Sequence, residues 1–188
     1  MTATAHAAPE VGKHAPEFTA VDSNGKTVKL SDFRSKTVVL EWTNDGCPYV
    51  KKHYGSGNMQ SLQKDAAAKG IVWLTIISSA PGKQGYVDGA GANELTKARG
   101  AAPTAVLLDP SGAVGRLYDA RTTPHMFIVN TEGTLVYMGG IDDKPTSNPD
   151  DIPGARNYVR AALGEMAAGK PVTEAVTRPY GCSVKYAG

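Results

Sequence analysis

Cys47 and Cys182 are the only two cysteines in a chain of 188 residues. A thiolate, not a thiol, is the attacking form of cysteine, so what matters at each is whatever favours a negative sulfur. Cys47 is followed by Pro48, a residue suited to the first position of a helix because its missing N–H costs nothing there. Cys47 therefore stands at or just before the first turn, where free backbone N–H groups and the helix dipole favour an anion. Lys51 lies four residues on, about 40° around a helix by its pitch, so its ammonium is expected to face the sulfur and lower the thiol pKa further. Two cysteines so far apart exclude a disulfide-dense mini-protein and a four-cysteine zinc site. They leave three arrangements open: one disulfide, one reactive thiol with a partner, or two inert buried thiols.

Other residues could join this chemistry. Glu41 is a lone carboxylate in the apolar run 37–42 (TVVLEW), where it is either a buried proton acceptor or an edge position facing solvent. Thr123, Pro124 and His125 stand just before a later strand. His125 could serve as a base or as a soft-metal ligand with Cys47 and Cys182, or simply begin its strand. His53 falls on the far side of a continuous helix from Cys47 and is rejected as a co-ligand. Tyr49 and Tyr54 flank a groove or pack, Trp42 is core or cleft wall, and Asp142 and Asp143 read as solvated loop carboxylates rather than a cation site.

The elements that must position these residues follow from periodicity. Residues 27–30 suit a short strand after an Asn24-Gly25 turn, with a helical turn over 31–33. β-Branched and apolar runs predict buried strands over 37–42, 71–77 and 105–108. Helices are expected after Pro48, over 58–69 with Met59, Leu62 and Ala66 on one face, over 92–99, and over 156–168. Strands 126–129 and 135–138 form a hairpin around Glu132-Gly133. Alternating β and α elements imply an α/β fold, a central mixed sheet flanked by helices on both faces. Residues 1–10 form an N-terminal extension, 11–169 one domain, and 170–188 an irregular C-terminal tail carrying Cys182.

Composition narrows the partners. Hydrophobic residues make up 41% and charged residues 20%, enough for a packed core. A net charge of +2 argues against nucleic acid or an anionic membrane as the main partner. No apolar run reaches the ~18 residues of a spanning helix, so no membrane insertion is expected. Residues 2–9 are rich in small residues and contain Ala5-His6-Ala7, an A-x-A pattern like the end of a secretory signal. A periplasmic or secreted location is expected, with the cytoplasm as the alternative.

Several motifs occur together in order: Gly12-Lys13 with Ala15-Pro16-Glu17-Phe18, Glu41-Trp42-Thr43-Asn44, Gly46-Cys47-Pro48-Tyr49-Val50, Ala120-Arg121-Thr122-Thr123-Pro124, Gly140-Ile141-Asp142-Asp143, and Gly181-Cys182-Ser183-Val184-Lys185-Tyr186. On these the chain resembles the peroxiredoxin-like branch of the redoxin families (AhpC/TSA, thioredoxin-like), over nearly its whole length. The resemblance implies a thioredoxin-like fold and a redox-active Cys47. It implies a cis Pro124 against that cysteine, with the Thr123 peptide offering backbone hydrogen bonds to an extended substrate. Asn44 joins the same substrate-binding set, His125 is expected near Cys47, and Glu41 is expected below it. Two departures stand out. Val50 occupies the fourth position of a C-x-x-C motif, so no resolving thiol lies within the same helical turn. A peroxiredoxin P-x-x-x-T-x-x-C would place its proline and threonine at Leu40 and Asn44; Thr43 is one residue out of register and Arg121 is the nearest arginine to the late strand.

The function expected is a thiol-based oxidoreductase, by disulfide exchange or peroxide reduction, with Cys47 attacking and Cys182 resolving, if the tail wraps back to it. No cofactor is expected. Partners would be a thiol, disulfide or peroxide substrate and a reducing redox protein, with a homodimer among the possible assemblies. The alternative is a copper-handling or protein-binding redoxin using Cys47, Cys182 and His125 as soft ligands.

Overall fold

The computed structural model describes residues 7–188, so Ala5 and His6 of the signal-like pattern, and all residues before them, lie outside the described residues. The chain runs β1 (Thr19–Asp22), β2 (Thr27–Lys29), a 3-10 turn (Leu30–Phe33), β3 (Val38–Trp42), α1 (Pro48–Gly55), α2 (Asn58–Ala68), β4 (Val72–Ile77), α3 (Gly89–Arg99) and β5 (Ala105–Leu108). It continues through α4 (Ala113–Leu117), β6 (Thr122–Thr123), β7 (His125–Val129), β8 (Leu135–Gly139), a second 3-10 turn (Pro149–Gly154), α5 (Tyr158–Ala167) and β9 (Cys182–Ser183).

Seven strands form one mixed sheet in the order β2-β1-β5-β4-β3-β7-β8. The central strands β3, β4 and β5 are parallel. Strand β7 returns antiparallel beside β3 and pairs with β8 as the expected hairpin. All five residues of β3 and all six of β4 are buried, which is why both read as continuous apolar runs rather than alternating ones.

Alternation along each strand builds two cores. Val38, Leu40 and Trp42 pack on one face with Phe18, Val114, Tyr118, Phe127 and Val129. Val39 faces the other side, with Trp73, Met126 and Ile128, under Val50, Tyr54, Met59 and Leu62 of α1–α2 and Val159 and Ala162 of α5. Each fully buried aliphatic side chain here contributes roughly 1.5–3 kcal/mol. Cys47 belongs to this second core. Glu41, by the same alternation, points into its floor.

Five elements were not expected from sequence: β1, the five-residue α4, the two-residue β6, the second 3-10 turn, and β9 inside the tail. The tail is not simply irregular. It is laid along the body, with Met138 N–H donating to Ala175 O at 2.9 Å, Val184 N–H to Arg121 O at 3.0 Å, and Ala80 N–H to Lys185 O at 2.8 Å. At its end the Tyr186 hydroxyl donates to Ala120 O at 2.7 Å.

Candidate redox site

Strand β3 ends beneath the site, and residues 43–46 turn the chain into α1. Asn44 shapes that turn. Its Oδ1 accepts the Gly46 N–H at 2.8 Å and its Nδ2 donates to Gln84 O at 3.2 Å. Both ends of its amide thus help to hold the turn. Cys47 is the N-cap of α1, extended at φ −80° and ψ 124°, with Pro48 at the first helical position as the sequence requires.

The tail brings the second cysteine to the first. β9 pairs antiparallel with β6, placing Thr123 opposite Cys182. Gly181 allows this approach: its φ is +144°, and a Cβ at that position would overlap the Thr123 carbonyl oxygen. The Sγ atoms of Cys47 and Cys182 lie 2.7 Å apart, and Cys47 Sγ lies 3.2 Å from the Thr123 carbonyl oxygen, to which the thiol form donates. Cys47 is fully buried and Cys182 half-buried. The Thr123-Pro124 peptide is cis, as the resemblance implied.

The two thiols have opposite acidities. Burial works against a Cys47 thiolate, yet Cys182, the Thr123 hydroxyl and the Val50 N–H, as donors to the charged sulfur, outweigh it and hold the Cys47 pKa below its ordinary value. Cys182 is pushed up to about 11, first by burial and then by its hydrogen bond to, and repulsion from, the Cys47 sulfur; Lys185 opposes this. Thr123 Oγ1 is buried with no well-formed hydrogen bond in the resting site, so its proton is free to turn toward a charged sulfur.

Glu41 is completely buried, not an edge residue. Its Oε1 accepts from Trp73 Nε1 at 2.9 Å, Thr75 Oγ1 at 3.0 Å and Gln63 Nε2 at 3.2 Å, and its Oε2 accepts from the Tyr54 hydroxyl at 2.7 Å. Burial raises the Glu41 pKa above the usual carboxylate range, and the bonds from Tyr54, Trp73 and Thr75 offset only part of that. A carboxyl group that can hold a proton thus sits on the sheet face that α1 covers.

Three expectations are corrected. Lys51 is exposed on α1 rather than turned to the sulfur. Because Cys47 is an extended N-cap, the helical wheel does not begin at it. His125 is buried, but alternation sends it to the opposite face from Cys47, where it stacks on Phe127 with ring centroids 4.6 Å apart. Its Nδ1 accepts the Arg121 N–H at 3.1 Å, and burial lowers its pKa to about 4. His125 therefore does not join the sulfurs as a third ligand, and among the described residues no three His, Cys, Asp or Glu side chains converge on a metal-sized site. Asp142 is buried instead of solvated, while Asp143 is exposed. Sequence reasoning missed the Glu41 donors and the buried residues Lys52 and Gln63, all of which depend on which helix covers which strand.

A mixed sheet with this order, a helix opening at Cys47 and a cis proline facing it define a thioredoxin-like fold. Residues 11–138 match the AhpC/TSA family model, and the chain belongs to that family. It is 28% identical over 125 residues to the thiol-disulfide oxidoreductase ResA of Bacillus subtilis, a match spanning 66% of this chain and 64% of ResA. Among solved structures, an uncharacterized conserved protein from Geobacillus kaustophilus superposes with a TM-score of 0.80 at 26% identity, covering 95% of this chain and 93% of that one. The exposed lipoprotein thioredoxin Etrx1 of Streptococcus pneumoniae gives 0.51 at 26% identity, covering 74% and 96%.

Proposed function

We propose that this protein is a thiol-disulfide oxidoreductase whose nucleophile is Cys47 and whose resolving thiol is Cys182 of the same chain. The observation that carries this reading is the 2.7 Å separation of two sulfurs with opposite acidities. The Cys47 thiolate attacks one sulfur of a substrate disulfide, forming a mixed disulfide and expelling the other half as a thiolate. Cys47 then no longer bears charge, so of the causes that raise the Cys182 pKa burial remains while the repulsion from Cys47 is gone, and Lys185 still lowers it. Cys182, as its thiolate, attacks the Cys47 sulfur, forms the Cys47–Cys182 disulfide and releases the second substrate thiol. The substrate gains two electrons, and a reducing redox partner returns them to the protein.

Similarity to ResA supports disulfides as the substrate class. Peroxide reduction is the weaker reading, because Asn44 stands where the peroxidase pattern has threonine and its amide is already engaged. The division of labour follows the chain: residues 11–169 supply Cys47 and residues 170–188 supply Cys182, so the cycle needs no second copy. A cleft of about 550 Å³ lies beside the tail, lined by Thr122, Tyr158, Arg178 and Gly181 among others. An extracytoplasmic setting is proposed on the likeness to an exposed lipoprotein; no helix among the described residues is long and apolar enough to cross a membrane. The test is turnover of a peptide disulfide under a thiol reductant. Cys47→Ser should abolish it, and Cys182→Ser should trap a Cys47 mixed disulfide. Undiminished turnover in Cys47→Ser would end this reading.

A further inference from the structure

Beside the two sulfurs lies a buried polar knot that the thiol chemistry does not use. Lys52 and His53 of α1 and Asp142 of the loop after β8 are 3%, 0% and 2% exposed. They meet at the hydroxyl of Tyr180, two residues before Cys182. The Asn58 amide donates to His53 Nδ1 at 2.9 Å, which leaves the ring proton on Nε2, and Nε2 donates to the Tyr180 hydroxyl at 3.1 Å. Lys52 Nζ donates to the same oxygen at 3.3 Å and to Lys144 O at 2.8 Å. The Tyr180 hydroxyl in turn donates to Asp142 Oδ1 at 2.6 Å. That oxygen therefore accepts twice and donates once. Burial lowers the His53 pKa to about 4, so near neutral pH the knot holds one cation and one anion bridged by a phenol.

The ring of Tyr180 packs edge-on against Tyr49, centroids 5.8 Å apart. Helix α1, whose N-cap is Cys47, thus grips the tail just before Cys182. Burying a lysine and an aspartate carries a desolvation cost that ordinary apolar packing avoids. What this pair specifies is the position of one phenol.

We propose that Tyr180 is the positioning residue for Cys182: its hydroxyl, held by Lys52, His53 and Asp142, fixes the tail so that the Cys182 sulfur rests on Cys47. This rests on the two-cysteine reading above. In the dithiol form, the clasp sets the effective concentration of Cys182 at Cys47. Oxidation by glutathione disulfide reports that quantity: both thiols lose their protons and together two electrons, the intrachain S–S bond forms, and two glutathione thiols are released.

The experiment equilibrates the full chain with glutathione buffers at fixed pH and reads the oxidised fraction after alkylation of free thiols. Tyr180→Phe should lower the equilibrium constant about tenfold, equivalent to about 30 mV for a two-electron couple. Removing the hydroxyl also strips buried Lys52 and Asp142 of a partner and can weaken the fold. The triple variant Tyr180→Phe, Lys52→Met, Asp142→Asn removes both charges and should restore stability while keeping the shifted equilibrium. Tyr118→Phe deletes a hydroxyl that donates to Pro16 O and takes no part in the Tyr180 clasp, and should leave the constant unchanged. The proposal is overturned if Tyr180→Phe and the triple variant stay within twofold of the parent, or if Tyr118→Phe shifts it equally. A parent protein that forms no Cys47–Cys182 disulfide at any glutathione ratio would instead overturn the two-cysteine reading, and this inference with it.

Discussion

Thr123→Val separates the acidity of Cys47 from the stability of the fold. Valine keeps the β-branched shape that the strand position favours and deletes only the hydroxyl. Thr123 Oγ1 is buried without a well-formed bond in the resting site, so the fold loses no bond and sheds an uncompensated polar group worth about 1–3 kcal/mol. The thiolate, by contrast, loses a donor that holds its pKa down. A hydrogen bond to a charged group is worth about 1.5–3 kcal/mol, and one pKa unit is about 1.4 kcal/mol, so the Cys47 pKa should rise by about one or more. For a rise of about one, the thiolate fraction at any pH below both midpoints falls about tenfold. The higher intrinsic nucleophilicity of a more basic sulfur returns part of this, leaving attack about threefold slower. The assay is titration of the thiolate ultraviolet absorbance in a Cys182→Ser background, with and without Thr123→Val, beside denaturant unfolding of both proteins. Coincident titration midpoints would refute the role of the hydroxyl, as would a loss of stability typical of a broken buried hydrogen bond.

Gly181→Ala should prevent β9 from docking, because the added Cβ meets the Thr123 carbonyl at a backbone φ that side chains rarely adopt; a peptide disulfide should then stay bound to Cys47 as a mixed disulfide, with Cys182 free to alkylating reagents, while the circular dichroism of the body is unchanged. Acid should weaken the fold through its buried histidines. His53 and His125 sit at about 4 when folded, against about 6.5 unfolded, so the unfolded chain binds more protons between those values. Their contribution, at most about 3 kcal/mol each, is complete above pH 6.5 and disappears as pH falls through 4. The raised pKa of Glu41 works in the opposite sense, favouring the fold at low pH and losing that effect as pH rises. His125→Asn keeps an acceptor for the Arg121 N–H and should flatten about half of the histidine-driven loss in denaturant unfolding across that range.

Much of the frame was legible in the sequence because it depends on local pattern. The run 105–108 is a strand over those same residues, and 37–42 gives β3 within one residue, since β-branched apolar runs bounded by turns have few other uses. Cys47-Pro48 announced the start of α1 through the one position where proline costs nothing. The site was less legible where it depends on which face meets which. His125 was placed beside Cys47 by chain proximity to Pro124, although strand alternation, available in the sequence, sends it through to the other core. Lys51 was chosen by helical pitch, but the residue that turns inward is its neighbour Lys52, whose partners come from the loop after β8 and the tail. Neither a buried lysine nor the four donors gathered on Glu41 leaves a signature in a linear pattern, because each is satisfied by residues distant in sequence. The pairing of β9 with β6 is of the same kind: two residues are too few to show a period.

A two-cysteine cycle requires that Cys47 and Cys182 form a covalent bond during turnover. The direct measurement is non-reducing peptide mass spectrometry after one equivalent of a peptide disulfide is added to the reduced full chain. A peptide containing Cys47 linked to Cys182 of the same chain, at monomer mass and with both substrate thiols released, is the predicted result. A stable adduct of substrate on Cys47, with Cys182 still free to alkylate, would contradict it.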